Sequence, residues 1–325
     1  MLEEFNNKKV IILGDVILDH YIFGRADGVS PEAAVLVLLH ESETYRLGGA
    51  ANVAWNIKAL GATPILLTAI GNDMAGRELA YLLKAENISD EYLIIDESRP
   101  TTIKTRFLAK HQQLLRHDKE SSKPLAQAIE DKVFASLKAL IEKGDIAAVV
   151  LQDYNKGVLT ANLIKAVVSF CKENNVATVV DPKKNNLEAY TGTTLFKPNL
   201  REMGDAFGLS LSESYIDFEL LNKIGLELKA KLQLPYLCIT LGAQGMYVFD
   251  KENKAVHVPT RARAVADVCG AGDTVISTLT LAMAANMPIT EAAQLANLAG
   301  GQVCEKIGVV AVDKAQLINE WLNKS

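Results

Sequence analysis

Short apolar runs recur along the chain at Val10–Gly14, Ile65–Ile70, Ala147–Leu151, Ala177–Val180 and Leu237–Thr240. They are apolar at almost every position rather than at alternate ones, which predicts strands covered on both faces, as in a parallel sheet. Helical spacing fills the intervals at 50–60, 75–86, 124–143, 160–174 and 217–232. Alternating β and α elements predict an α/β fold, a central mostly parallel sheet between helix layers. Residues 34–41 and 92–118 break the alternation with mixed polar character and predict a small separate β-sheet, a lid with segments at about 16–41 and 92–118. The chain has no linker rich in Pro, Gly or Ser, no repeat and no low-complexity tract, so the expected organisation is one domain over residues 1–325.

Residues 274–304 carry a single charge, Glu291, and are long enough to suggest a membrane span. Asn286, Pro288 and Gly300-Gly301 interrupt them, and Ser277, Thr278, Gln294 and Asn297 add polar groups. Two helices buried in a large core are the better expectation. The net charge of −5 argues against a broad nucleic-acid or membrane surface. Cys171, Cys238, Cys269 and Cys304 match no zinc or disulfide spacing, and the first residues lack a signal-peptide core. A reduced, cytoplasmic setting is therefore expected.

The richest chemistry lies at Asp267-Val-Cys-Gly-Ala-Gly-Asp273, directly before an apolar helical run. Its glycines let backbone N–H groups approach a ligand, and a helix N-terminus favours an anion such as a transferring phosphoryl group. Gly270, Ala271 and Gly272 are the candidate anion cradle, and Asp273 is a candidate general base for a hydroxyl. The same motif also describes an ordinary loop with a favourable first-turn charge.

Other candidates stand at predicted strand ends, where open α/β sheets bind ligands. Asp15 and Asp19 are candidates for sugar hydroxyls or for turn caps, and Gly48, Gly49 and Asn52 precede a helix where substrate can approach or a loop can close. Lys104 and Arg106 share one strand face, which suits an anionic substrate group or a charged sheet edge. Gln152-Asp153-Tyr-Asn-Lys156 and Asp181-Pro-Lys183 each pair an acid with a lysine. Asn199 with Glu202 reads as a helix cap or as phosphate and Mg²⁺-water ligands. Thr240, Gly242 and Gly245 can line a nucleotide or open a hairpin to Met246–Phe249. Neither a P-loop nor a Gly-x-Gly-x-x-Gly after the first strand is present, and the histidines lack zinc-ligand spacing.

In this order the motifs resemble the ribokinase-like (PfkB-type) carbohydrate kinases over essentially the whole chain from about residue 8. Gly48-Gly49 with Asn52 resembles the N-terminal signature, and Asp267–Asp273 with Asn199-x-x-Glu202 resembles the C-terminal one. The resemblance implies a ribokinase-like fold with a β lid, ATP and Mg²⁺ as cofactors, a monovalent cation as a further candidate, and a homodimer through the lid. It implies Asp273 as base and Gly270-Ala-Gly272 as anion hole. It further implies Asp15, Asp19, Gly48, Gly49, Asn52 and Asp153 at sugar hydroxyls. Lys104, Arg106, Lys156 and Lys183 fall to an existing substrate phosphate, Asn199 and Glu202 to the Mg²⁺ shell, and Thr240, Gly242, Gly245 and Asn297 to the nucleotide. Gly14-Asp-Val-Ile-Leu-Asp19, Ser30-Pro-Glu-Ala33, Gly48-Gly-Ala-Ala-Asn52, Asp153-Tyr-Asn-Lys-Gly157, Asp181-Pro-Lys183 and Pro198-Asn-Leu-Arg-Glu202 are similar to the members that phosphorylate the anomeric hydroxyl of a heptose 7-phosphate. The chain ends soon after the kinase region, the expected form of a kinase without an appended nucleotidyltransferase. Rival readings are another sugar, a sugar phosphate or a nucleoside as acceptor, and a non-catalytic sugar-binding regulator. Cys269 departs from the family's usual Thr and replaces a hydroxyl with a weaker hydrogen-bonding group.

Overall fold

A computed structural model describes residues 2–110, 112–261 and 263–323; His111, inside the second expected lid segment, lies outside the described residues, as do the chain's two ends. Helices and strands follow in the order β1 (Lys9–Gly14), β2 (Val16–Val29), β3 (Leu36–Gly49), α1 (Ala50–Ala59), β4 (Thr63–Ile70), α2 (Met74–Ala85), β5 (Leu93–Ile95), β6 (Ile103–Ala109), β7 (Gln112–Lys119), α3 (Gln127–Glu142), β8 (Ile146–Gln152) and α4 (Ala161–Glu173). The second half adds β9 (Ala177–Asp181), β10 (Leu195–Phe196), α5 (Leu200–Phe207), α6 (Phe218–Leu232), β11 (Tyr236–Thr240), β12 (Met246–Phe249), β13 (Ala255–Val258), α7 (Ala271–Ala284), α8 (Ile289–Cys304) and α9 (Lys314–Leu322).

Among the described residues the main sheet runs β13-β12-β11-β10-β9-β8-β1-β4-β5, parallel except where β12 pairs antiparallel with β11 and β13. Its centre shows why the runs are apolar throughout. Val10 and Ile12 of β1 enter the hydrophobic layer shared with α1, α2, α7, α8 and α9, while Ile11 and Leu13 enter the layer shared with α3 to α6. All four are fully buried, so a strand with two covered faces has no position left for a polar residue.

The apolar stretch after residue 270 forms the two buried helices expected, α7 and α8, and no helix among the described residues is long and apolar enough to cross a membrane. Three buried hydroxyls of α7 bond within the helix: Ser277, Thr278 and Thr280 donate to the carbonyls of Asp273 (2.6 Å), Thr274 (2.9 Å) and Ile276 (2.7 Å). Thr274 lies 3.0 Å from Asn56 Oδ1 of α1.

The small sheet has the order β3-β2-β6-β7. It differs from the expected lid at two boundaries. Residues 42–49 continue β3 to the start of α1, and β5 joins the edge of the main sheet beside β4. β2 and β3 are 14-residue strands, buried at their base and exposed toward the tip. Their length carries the small sheet out over the carboxyl end of β1.

Candidate active site

Four parallel strands, β1, β8, β9 and β10, end near the N-terminus of α7 and set out the polar groups there. Gly270 caps α7 in the left-handed conformation (φ 79°), so the first turn begins abruptly and carries Asp273 into the interior, where it is 3% exposed. Asp273 Oδ1 accepts from Tyr154 Oη (2.8 Å) and Gln152 Nε2 (3.0 Å), and Oδ2 accepts from Asn52 Nδ2 (2.8 Å). Burial pushes this carboxyl up to about 7, and the Asp181 charge adds to the rise; the bonds from Asn52 and Tyr154 and the Lys197 charge oppose it. A carboxylate poised near neutrality at the mouth of an anion-favouring helix is equipped to accept a proton from a hydroxyl.

The anion cradle has room beside it. A Cβ placed on Gly272 would lie 3.9 Å from both Asp181 Oδ2 and Lys197 Nζ. Lys197, itself buried, pairs with Asp181 Oδ1 at 3.1 Å. The first turn of α7 thus stands beside a fixed ammonium, the chemistry that a phosphoryl group requires, although Ala271 N donates to Val268 O at 3.3 Å.

On the acceptor side, Gly48 is glycine because a Cβ there would meet Asp19 Oδ2 at 2.2 Å. Asp19 pairs with Arg106 across β2 and β6, and Arg106 also lies over the Tyr21 ring, 5.1 Å from its centroid. Lys104 reaches Asp118 (3.1 Å) and Glu120 (3.5 Å), and Lys156 reaches the same Glu120 (2.7 Å). Lys104, Arg106 and Lys156, the expected phosphate cations, each have a carboxylate partner, and Lys104 and Lys156 share Glu120.

Several expected sugar ligands are occupied differently. Asp15 accepts from the backbone N–H groups of Tyr154 (2.8 Å), Lys156 (3.0 Å) and Val158 (3.0 Å), so it organises the loop after β8. Burial, with the Asp153 charge, pushes it up to about 6. Asp153 is anchored by Asn155 N (2.7 Å) and Tyr190 Oη (2.7 Å). Asn52 is fully buried and bonds Asp273 and Asn56, so it holds the Asp273 carboxyl rather than facing solvent. Lys183 departs from the other cations: it pairs with Glu202 and lies over the Tyr154 ring at 5.6 Å.

Asn199 and Glu202 form a complete capping box at α5, with Asn199 Oδ1 accepting from Glu202 N (2.8 Å) and Glu202 Oε2 accepting from Asn199 N (2.8 Å). The cap is the role the pattern left open. Glu202 Oε1 still points to Lys183, and burial together with Asp181 raises its carboxyl. No cluster of three or more metal-ligating side chains occurs among the described residues.

Thr240 bridges to Asn199, and Gly242 and Gly245 shape the turn into β12. Asn297 of α8 donates to Pro259 O (2.9 Å), beside the segment that Gly245 touches. Asn297 and Gly245 thus meet at the Pro259 segment, and Thr240 adjoins Asn199. Gln152, Tyr154, Asp181 and Lys197 were not singled out as ligands from the sequence. The usable signal was positional, since each stands at or just beyond the carboxyl end of a buried strand.

A buried carboxyl in the first turn of a helix, with a fixed ammonium nearby, is an arrangement suited to phosphoryl transfer to a hydroxyl. The model of the pfkB family of carbohydrate kinases matches residues 7–315, and the chain belongs to that family. Among curated relatives, the protein named bifunctional protein HldE of Helicobacter hepaticus is 37% identical over 97% of this chain. The one of Caulobacter vibrioides is 40% identical over 96%. The chain spans only 64% and 63% of the length of these two relatives. Among solved structures, Escherichia coli phosphofructokinase-2 in complex with potassium has a TM-score of 0.80 at 17% identity, covering 97% of this chain and 98% of its own. Arabidopsis thaliana ribokinase complexed with ribose and ATP has a TM-score of 0.73 at 16% identity, covering 97% of this chain. These two confirm the ribokinase-like fold.

Proposed function

We propose that the protein transfers the γ-phosphoryl group of ATP to the anomeric hydroxyl of D-glycero-β-D-manno-heptose 7-phosphate, giving the 1,7-bisphosphate in ADP-heptose biosynthesis for the lipopolysaccharide core. The observation that carries the chemistry is Asp273, buried at the first turn of α7 and raised to about 7. The acceptor is supported by the motif resemblance and by the identity to the HldE relatives.

Asp273 takes the proton of the hydroxyl, while the amides of Gly270, Ala271 and Gly272 stabilise charge on the transferring group, assisted by Lys197. Asp19 and the backbone at Gly49 meet sugar hydroxyls. Thr240, Gly242, Gly245 and Asn297 border the nucleotide. Asn199 and Glu202 would hold Mg²⁺ through water, and the bound ion would supply neutralising charge for the phosphates. A monovalent cation is a further proposed cofactor.

Coupled ADP release with ATP and a panel of heptose 7-phosphate anomers, fructose 6-phosphate, ribose and a nucleoside tests the acceptor. The β-heptose 7-phosphate should give the highest kcat/KM, and a tenfold preference for any other member replaces the reading. In the same assay Lys104→Ala should raise KM for the phosphorylated acceptor by roughly tenfold or more, the loss of one charge-assisted hydrogen bond. KM for ATP should stay unchanged. An unaltered acceptor KM would make Lys104 an ordinary partner of Asp118 and Glu120.

The outer lid exposes Val29, Val35, Leu36, Leu39 and Leu115. Exposed apolar groups favour a partner, and a second copy of the lid is the occupant we propose. Sedimentation should give the dimer mass, and Leu36→Asp should give the monomer.

A further inference from the structure

The base has unequal oxygens. A carboxylate oxygen offers two lone pairs. Oδ1 of Asp273 uses both, on Tyr154 Oη at 2.8 Å and Gln152 Nε2 at 3.0 Å, whereas Oδ2 uses one, on Asn52 Nδ2 at 2.8 Å. We propose that Tyr154 is a positioning residue for the general base: with Gln152 it saturates Oδ1, fixes the carboxylate plane and leaves Oδ2 as the oxygen that receives the acceptor's proton. The inference rests on Asp273 being the base. The acceptor O–H bond breaks with its proton going to Oδ2. The freed pair on the acceptor oxygen forms the bond to the γ-phosphorus, and the bond from that phosphorus to the bridging oxygen breaks, with its electrons leaving on ADP.

Tyr154 is built to hold this place. Its backbone N–H is fixed by Asp15 Oδ2 at 2.8 Å, and its ring lies under Lys183, which pairs with Glu202. Burial raises its phenol well above the ordinary value, with the Asp273 charge adding, so the hydroxyl remains a neutral donor at working pH. The orientation of Gln152 is equally constrained. Its Nε2 also donates to Asp181 Oδ2 at 3.1 Å, so turning the amide over would set its oxygen against two carboxylates. The groups around Asp273 are then complete: Asn52 from α1, Gln152 and Tyr154 from the end of β8, Asp181 from the end of β9 with Lys197 beyond β10 at 3.1 Å from it, and the amides of α7 itself. Of these, Tyr154 is the donor whose hydroxyl can be removed while its ring is retained.

A donor to the ionised form lowers the proton affinity of a carboxylate, so losing one raises it. Tyr154→Phe in the full chain, assayed with heptose 7-phosphate and ATP, should therefore move the acid limb of kcat/KM upward by about one pH unit, the size set by one hydrogen bond to a charged group. KM for ATP should stay within about twofold, since the ring and its Lys183 contact persist. Incorporating 3-fluorotyrosine at position 154 strengthens the donor and should move the limb down. A merely structural tyrosine would not give shifts of opposite sign. Acid limbs unchanged in both proteins overturn the inference. If Tyr154→Phe does not fold, as read by circular dichroism, the fluorotyrosine protein decides alone: a downward shift supports the proposal and no shift refutes it. Asp273→Asn run in parallel separates the two layers. If it is inactive while the Tyr154 proteins show no shift, the base stands and only the role of Tyr154 falls; if it is fully active, both fall.

Discussion

Asp273→Asn is expected to lower turnover by about 10²–10⁴-fold, the usual contribution of a general base, with little change in KM for ATP. The substitution is nearly isosteric. The Asn oxygen can still accept from Tyr154 and Gln152, which bond Oδ1 in the wild type. The new amide would face Asn52 Nδ2, a donor, so Asn52 has to turn. Such local rearrangement leaves α7 and its cradle in place, and the lost step is proton acceptance. The pH dependence follows from the same group. Burial disfavours the charged carboxylate, so it is protonated below about 7 and ionised above it. Only the ionised form accepts a proton, so wild-type kcat/KM should rise with pH to a plateau with its midpoint near that value. The residual activity of Asp273→Asn should lack this limb. Rates by ADP release between roughly pH 5.5 and 9 check both statements, on the principle that an essential base sets the acid limb. Near-normal turnover in the variant would end the assignment.

The legibility of this site in the sequence follows a physical line. Elements with strict patterning were read almost to the residue: α1, expected at 50–60, occupies Ala50–Ala59, and β12 occupies Met246–Phe249. Two-sided burial leaves such runs no alternative. The two-residue β10 has no pattern of its own and exists through its neighbours β9 and β11. The lid boundary slipped because β3 reads as polar where it stands away from the core and as a glycine loop at Gly48-Gly49, although it is one strand.

At the site, residue type located the cluster but not the pairings. Asp15, Asp153 and Asp273 are all carboxylates at element ends, and sequence cannot tell what each one holds. The structure does so through partners: three backbone amides on Asp15, Asn155 N, Asn186 and Tyr190 on Asp153, and three side chains, Asn52, Gln152 and Tyr154, on Asp273 in the first turn of α7. Lys183 shows the same limit. The family resemblance implies a substrate phosphate for it, and its contact is with Glu202, which the sequence places 19 residues on.

The second large effect concerns the cradle, where two neighbouring glycines should respond differently. Gly270 is left-handed at φ 79°, and a Cβ there would lie 2.8 Å from Asn52 Nδ2 and 3.3 Å from Val309 Cγ1. Gly270→Ala therefore combines backbone strain of about 1–2 kcal/mol with displacement of the asparagine that holds the base. Turnover should fall by about 10²-fold or more, the scale of losing a preorganised donor, and the melting temperature should fall as well. Gly272 has no such strain, and its Cβ would meet nothing closer than Asp181 Oδ2 and Lys197 Nζ at 3.9 Å. Gly272→Ala should therefore melt with the wild type. If the phosphoryl group fills the gap between that backbone and Lys197, the added methyl blocks it and activity falls at unchanged stability. A thermal melt and a turnover assay on the two variants separate strain from obstruction. Full activity in Gly272→Ala would mean that the transferring group does not sit at the start of α7.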